Sequence, residues 1–125
     1  MQSVQDFQVI VNAMANTVFD ALGPGHSETV YRNAMLVELR LQGVPYESEK
    51  VVAVMFKDHC VGTVRFDIVI MNRFLVELKA VEKLRPVDKL QVKKYLTISK
   101  KQLECGLLIN FAPAGIEACA LYGSA

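Results

Sequence analysis

The sequence contains no apolar run approaching the roughly 20 residues that a membrane-spanning helix needs, so no membrane contact is expected. Its first residues, Met1-Gln2-Ser3-Val4-Gln5-Asp6, lack the basic-then-apolar pattern of a secretory leader, which sets the expectation of a soluble, cytoplasmic protein. Cysteine is scarce. Cys60, Cys105 and Cys119 are odd in number, far apart and set among apolar residues, which argues against a disulfide framework or a zinc knuckle and predicts reduced core thiols. Internal repeats, low-complexity stretches and an interdomain linker are also missing. What is plentiful is apolar: 52% hydrophobic residues in 125 fit one domain, residues 1–125, with a real core, and exclude a disordered tail.

The net charge of +1 hides an uneven distribution. Residues 73–101 carry nine of the 14 Lys/Arg and three of the 13 acids, a local balance of +6. Residues 1–72 sum to −3 and residues 102–125 to −2. A local positive field of this kind attracts a phosphate backbone, because neutralised phosphates release counterions. A solvated lysine face on a surface helix is the alternative.

Periodicity predicts an α/β domain. Phe7, Ile10, Val11, Met14, Val18 and Leu22 recur at helical spacing over residues 4–22, and Gly23-Pro24-Gly25 stops that helix. Ser27 is placed to cap a second helix running to Leu41 or Gln42, with Val30, Ala34, Val37 and Leu41 as its apolar set and Gly43 as its stop. Strands are expected over Tyr46–Phe56, Val61–Ile70 and Phe74–Lys79, joined by turns at Lys57-Asp58-His59 and Asn72-Arg73 into an antiparallel meander. A third helix, Pro86 to Ser99, opens with proline and carries lysines toward its end. The almost wholly apolar run Cys105–Phe111 reads as a buried strand pairing in parallel after that helix, and Ile116–Tyr122 as an edge strand.

Within this frame Asp67, and ten residues later Glu77-Leu78-Lys79, place polar side chains at the ends of two apolar strands. On neighbouring strands of a tight hairpin the two carboxylates can converge on one cation. Magnesium favours hard oxygen ligands and octahedral geometry, so Asp67, Glu77, a backbone carbonyl such as that of Leu78 and substrate phosphate oxygens would complete its shell. Zinc is disfavoured by the lack of Cys/His sets. Lys79 shares a strand face with Glu77, where it can polarise water or stabilise charge on a reacting phosphate. A plain salt bridge at a strand end is the competing reading. Gln91 and Tyr95 share a helix face four residues apart and can orient water, bind phosphate or stack on a base, although a core role for Tyr95 also fits. Lys89, Lys93, Lys100 and Lys101 offer backbone charge. Gly25-His26-Ser27-Glu28-Thr29-Val30-Tyr31 puts the Glu28 carboxylate in the first turn of a helix, which as a bare feature is also what a helix-capping acid would look like.

Taken together, these stretches resemble the small G-x-x-E-x-x-Y proteins, a branch of the PD-(D/E)XK nuclease superfamily. Gly25, Glu28 and Tyr31 match the naming motif, Asp67 with Glu77-Leu78-Lys79 the nuclease core, and Gln91 with Tyr95 the Q-x-x-x-Y helix of RecB-like relatives. Nearly the whole chain is covered. Phe66 stands where the superfamily's naming proline would be, a position tolerant in relatives. The resemblance implies a restriction-endonuclease-like fold, a mixed central β-sheet flanked by helices. It further implies Asp67 and Glu77 as ligands of Mg²⁺ or Mn²⁺, Lys79 as the catalytic lysine, and Glu28 as a helix-borne acid acting through water or a second metal. His26, beside Glu28, is either a surface loop residue or within reach of metal or phosphate.

The expected function is a magnesium-dependent nuclease acting on nucleic acid, with DNA favoured. The alternative is a catalytically silent module that keeps the nuclease fold and binds nucleic acid or a partner protein. No separate recognition domain is visible in the sequence, so specificity is expected from a homodimer, a partner protein, or the loops at residues 23–27 and 80–86.

Overall fold

The computed structural model describes residues 1–100 and 102–123; Lys101, named above as a source of backbone charge, lies outside them. Helix α1 spans Val4–Leu22 and α2 Glu28–Leu41. Strands β1 (Tyr46–Phe56), β2 (His59–Ile70) and β3 (Phe74–Lys79) follow, then α3 (Pro86–Ile98), β4 (Cys105–Ala112) and β5 (Gly115–Leu121). The helix starts are set by side chains. The Ser3 hydroxyl accepts the Asp6 N–H at 3.0 Å while the Asp6 carboxylate accepts the Ser3 N–H at 3.2 Å, and the Ser27 hydroxyl accepts the Val30 N–H at 3.3 Å. Gly23, at φ 72, ends α1 in a backbone region that other residues enter only with strain.

The five strands form one mixed sheet in the order β1-β2-β3-β4-β5, with the β3–β4 pair parallel across the α3 crossover and the others antiparallel. This is the α/β arrangement expected for a restriction-endonuclease-like fold. Helices α1 and α2 cover one face, where Phe7 stacks on Phe74 at 4.4 Å and Tyr31 on Phe111 at 4.2 Å. Fully burying an aromatic or large aliphatic side chain contributes about 1.5–3 kcal/mol, so this layer fixes the sheet's position. Helix α3 covers the other face through Val92, Tyr95 and Leu96 against Phe66, Val69, Leu75 and Leu108. Strand β4 is buried along its whole length, as a central strand between two helical layers must be.

Strand β2 pairs with β1 along nearly its entire length but with β3 only at Ile68, Val69 and Ile70. The β1–β2 hairpin therefore extends past β3 as an arm, its base still held under α3 by Phe66 and in part by Val52 and Val64, its tip at Lys57-Asp58 exposed.

Several expectations are corrected. In α2 the buried set is Tyr31, Arg32, Met35, Leu36 and Leu39, whereas Val30, Val37 and Leu41 are exposed. The 31/35/39 row lies over the sheet, and the equally apolar neighbouring row does not. The first hairpin turn is shorter than expected, with left-handed Lys57-Asp58 and His59 already in β2, and the left-handed pair of the second, Met71-Asn72, begins one residue earlier than expected. Cys105 is buried as expected, but Cys119 is half-buried and Cys60 is exposed on the arm. Among the described residues no helix is long and apolar enough to cross a membrane.

Candidate active site

The β2–β3 register pairs Ile68 with Val76, so Asp67 falls directly across from Glu77 at the point where the two strands part. Their carboxylates take over the ladder there. The Asp67 N–H donates to Glu77 Oε2 at 2.6 Å, and the Leu78 N–H donates to Asp67 Oδ2 at 2.9 Å. This reciprocal lock holds both acids side by side, each only 5–6% exposed. On β3, Phe74, Val76 and Leu78 enter the α1/α2 layer and Leu75 the α3 layer, so alternation sends Glu77 and Lys79 toward α3. An extended residue directs its N–H and C=O to the same edge, which puts the Leu78 carbonyl on the Asp67 side as well.

Helix α3 brings Gln91 and Tyr95 to the same place, one turn apart, with Tyr95 tilted against Phe66 at 5.0 Å. Helix α2 contributes Glu28 from its first turn. That turn is fixed by Tyr31, whose hydroxyl donates to the Gly23 carbonyl at 2.6 Å and accepts the His26 N–H at 3.3 Å. Glu28, Arg65, Asp67, Glu77, Lys79, Gln91 and Tyr95 together line a cleft of about 380 Å³.

The cleft is electrostatically loaded. Burial, and then the neighbouring Asp67 charge, push the Glu77 carboxyl up to about 8, against the hydrogen bond from the Asp67 N–H and the pull of Lys79. Asp67 is also raised by burial, opposed by the Leu78 N–H and by Arg32, Arg65 and Lys79. Glu28 is raised by burial and by Asp67. Tyr95 is raised by burial and by the Glu77 charge. Three acids crowded in a partly dry cleft disfavour one another's ionised forms, a conflict that a bound cation removes. The donor chemistry fits a hard divalent ion: carboxylate oxygens of Asp67 and Glu77 with the Leu78 carbonyl beside them. Among the described residues no three His, Cys, Asp or Glu side chains gather closely enough to form a complete metal cage.

Not every candidate lies in the cleft. Lys89 and Lys93 are exposed on α3 and are not part of its lining. His26 sets a ring nitrogen 3.0 Å from the Leu22 carbonyl at the end of α1 and packs edge-on against Tyr31, so it belongs to the loop anchor. Conversely, no motif of the sequence marks Arg65, Arg32 or Glu49. Arg65 lines the cleft, and Glu49 bridges it to Arg32. The available signal was a charged residue two positions before Asp67 in a strand otherwise rich in β-branched and aromatic residues.

A profile of the PD-(D/E)XK nuclease superfamily matches residues 5–118. The chain belongs to that superfamily, whose nucleases generally use divalent metal ions. Comparison with curated proteins gives no match. Among solved structures, the crystal structure of SSO0001 is similar in fold, with a TM-score of 0.59 at 17% sequence identity over 78% of this chain. The match spans 51% of that longer protein, about half its length.

Proposed function

We propose that this protein is a divalent-metal-dependent nuclease that hydrolyses phosphodiester bonds of nucleic acid, DNA in preference, in the cleft between α2 and α3. The observation that carries the reading is the reciprocal Asp67/Glu77 lock with Lys79 on the same strand face. Asp67, Glu77 and the Leu78 carbonyl are the residues that would hold Mg²⁺ or Mn²⁺, with Glu28 assisting through water. Bound there, such an ion would polarise the scissile phosphate and acidify a water molecule.

The chain's own groups have distinct tasks. Lys79 presents its side-chain nitrogen to the attacking water and to the negative charge that accumulates on the phosphate oxygens. Gln91 orients water or phosphate, and Tyr95, clamped by Phe66, offers a hydroxyl or a ring face to the substrate. Lys89 and Lys93, on the outer surface of α3, add diffuse attraction for the polymer beyond the cleft. The anchored 23–27 turn supports a finer kinship with the G-x-x-E-x-x-Y branch, since Tyr31 ties down the loop that presents Glu28. Specificity would come from a second copy of the chain or a partner protein.

The test is incubation of purified protein with labelled single- and double-stranded DNA and RNA in Mg²⁺, Mn²⁺ or EDTA, alongside Glu77→Ala and Lys79→Ala. Metal-dependent cleavage lost in both variants is the expected result. Absence of cleavage with nucleic-acid binding retained would replace this reading with that of a silent binding module.

A further inference from the structure

Glu49, near the start of β1, has left-handed backbone at φ 54, a region that residues with a Cβ seldom enter. Its neighbours pair regularly, Ser48 with Ile68 and Lys50 with Phe66, which places Glu49 directly opposite Asp67. The facing of the side chains changes there. Ile68 and Ile70 point into the α1/α2 layer, yet the equally even-numbered Phe66 points into the α3 layer, so the alternation of β2 switches sides at Asp67. The Glu49 carboxylate spans this switch: Oε1 lies 3.0 Å from Arg32 Nη2 and 3.4 Å from Arg65 Nη1.

The two arginines differ. Arg32 is buried on α2, with a side chain 9% exposed, whereas the Arg65 side chain is 55% exposed and lines the cleft. Among the described residues Arg65 has no ionic partner except Glu49, and that contact is long. A guanidinium carries five donors in a planar fork suited to phosphate oxygens. The cleft lining also presents Glu28, Asp67 and Glu77, three carboxylates that would repel an arriving polyanion. Lys79 is the other cation of that lining.

Building on the nuclease reading, we infer that Arg65 binds a backbone phosphate of the substrate and that Glu49, seated on strained backbone and shared with buried Arg32, is the positioning residue that holds Arg65 over the cleft. The long Glu49–Arg65 pair keeps the guanidinium in place while leaving donors for a phosphate. The strain at Glu49 then has a use, because relaxed backbone there would carry the arm, and Arg65 with it, elsewhere.

The test is steady-state cleavage of the labelled DNA on which wild type acts, together with equilibrium binding of that DNA in EDTA over a salt series. The set is wild type, Arg65→Ala, Arg65→Lys, Glu49→Gln and Lys57→Asn. Lys57 removes a charge at the arm's tip, in a turn whose left-handed backbone asparagine tolerates. Arg65→Ala should weaken binding about tenfold, raise KM more than it lowers kcat, and flatten the slope of log K against log salt by about one. Arg65→Lys should restore the slope but not the affinity. Glu49→Gln should raise KM several-fold with the slope unchanged, and Lys57→Asn should match wild type. Thermal unfolding of each variant separates misfolding from weak binding, and Arg65, being exposed, tests the inference even if Glu49→Gln is unstable. Wild-type KM and slope in Arg65→Ala, or an equal loss in Lys57→Asn, would overturn the inference and leave the nuclease reading standing. A wild type that cleaves no nucleic acid would overturn the nuclease reading itself, and this inference with it.

Discussion

Replacing Glu77 by glutamine removes one charge from the cleft while keeping the side chain's shape and an oxygen to accept the Asp67 N–H now received at 2.6 Å. In the native state without metal the Glu77 carboxyl is raised to about 8 from an ordinary value of 4.5 by burial and by Asp67. Between those values the folded chain holds a proton that the unfolded chain has released. Stability from this group is therefore complete below about pH 4.5 and is lost as pH rises toward and through 8. One proton corresponds to a slope of about 1.4 kcal/mol per pH unit, so the cost at pH 7 is on the order of 3 kcal/mol. Urea unfolding in EDTA from about pH 5 to about pH 9 should show wild type falling and Glu77→Gln nearly flat, with the variant the more stable at pH 8. Adding Mg²⁺ should then stabilise wild type alone, by roughly 2.7 kcal/mol at a hundred times the dissociation constant, while activity remains absent from the variant. A wild-type profile that is flat or rising over this range, or a variant less stable at pH 8, would refute the picture of two buried, mutually repelling carboxylates.

Tyr31→Phe removes the hydroxyl that donates to the Gly23 carbonyl and accepts from His26, in a fully buried side chain. A loss of about 1–2 kcal/mol in denaturant unfolding is expected, with lower cleavage as Glu28's turn loosens. Gly106→Ala would set a Cβ 2.6 Å from Val92 Cγ1, between β4 and α3. It should cost about 1–3 kcal/mol by overpacking, and adding Val92→Ala should return part of that stability in a double-mutant cycle. Asn110→Ala removes, from a fully buried position beside Lys79, hydrogen bonds to both main-chain groups of Val81 and to Glu117, all at 2.9 Å. A loss of about 2–3 kcal/mol is expected by calorimetry, together with a raised KM from a loosened 80–85 loop.

The order of elements was legible because each has a strong local signal: Ser27 before an amphipathic stretch, Pro86 at a helix start, and the apolar run from Cys105. The exposed face of α2 was not, since Val30, Val37 and Leu41, with half-buried Ala34, form as good an apolar row as the buried one, and only the position of the sheet decides between them. Asp67, Glu77, Lys79, Gln91 and Tyr95 could be selected from spacing because strands and helices repeat with fixed periods. The relation of Arg65 and Glu49 to the cleft depends instead on the switch of alternation at Asp67, which lies opposite one left-handed residue on the neighbouring strand and leaves no periodic trace in the sequence. Lys89 and Lys93, although in the right segment, sit two residues before Gln91 and Tyr95, about 200° around the helix, and so face away from the lining.

The projecting β1–β2 arm makes the molecule uneven in time as well as in space. Beyond Glu49 its strands pair chiefly with each other, so its amides can open without disturbing β3 or β4, whose residues are buried on both faces. Hydrogen exchange should run fast through residues 53–63, beyond the Val52 and Val64 contacts under α3, and slow through the two central strands. Chain length at the Lys57-Asp58 turn is then free to change by paired residues while the cleft keeps its geometry. The arm is the part of this small fold that can be lengthened, shortened or resurfaced at least cost to the lock between Asp67 and Glu77.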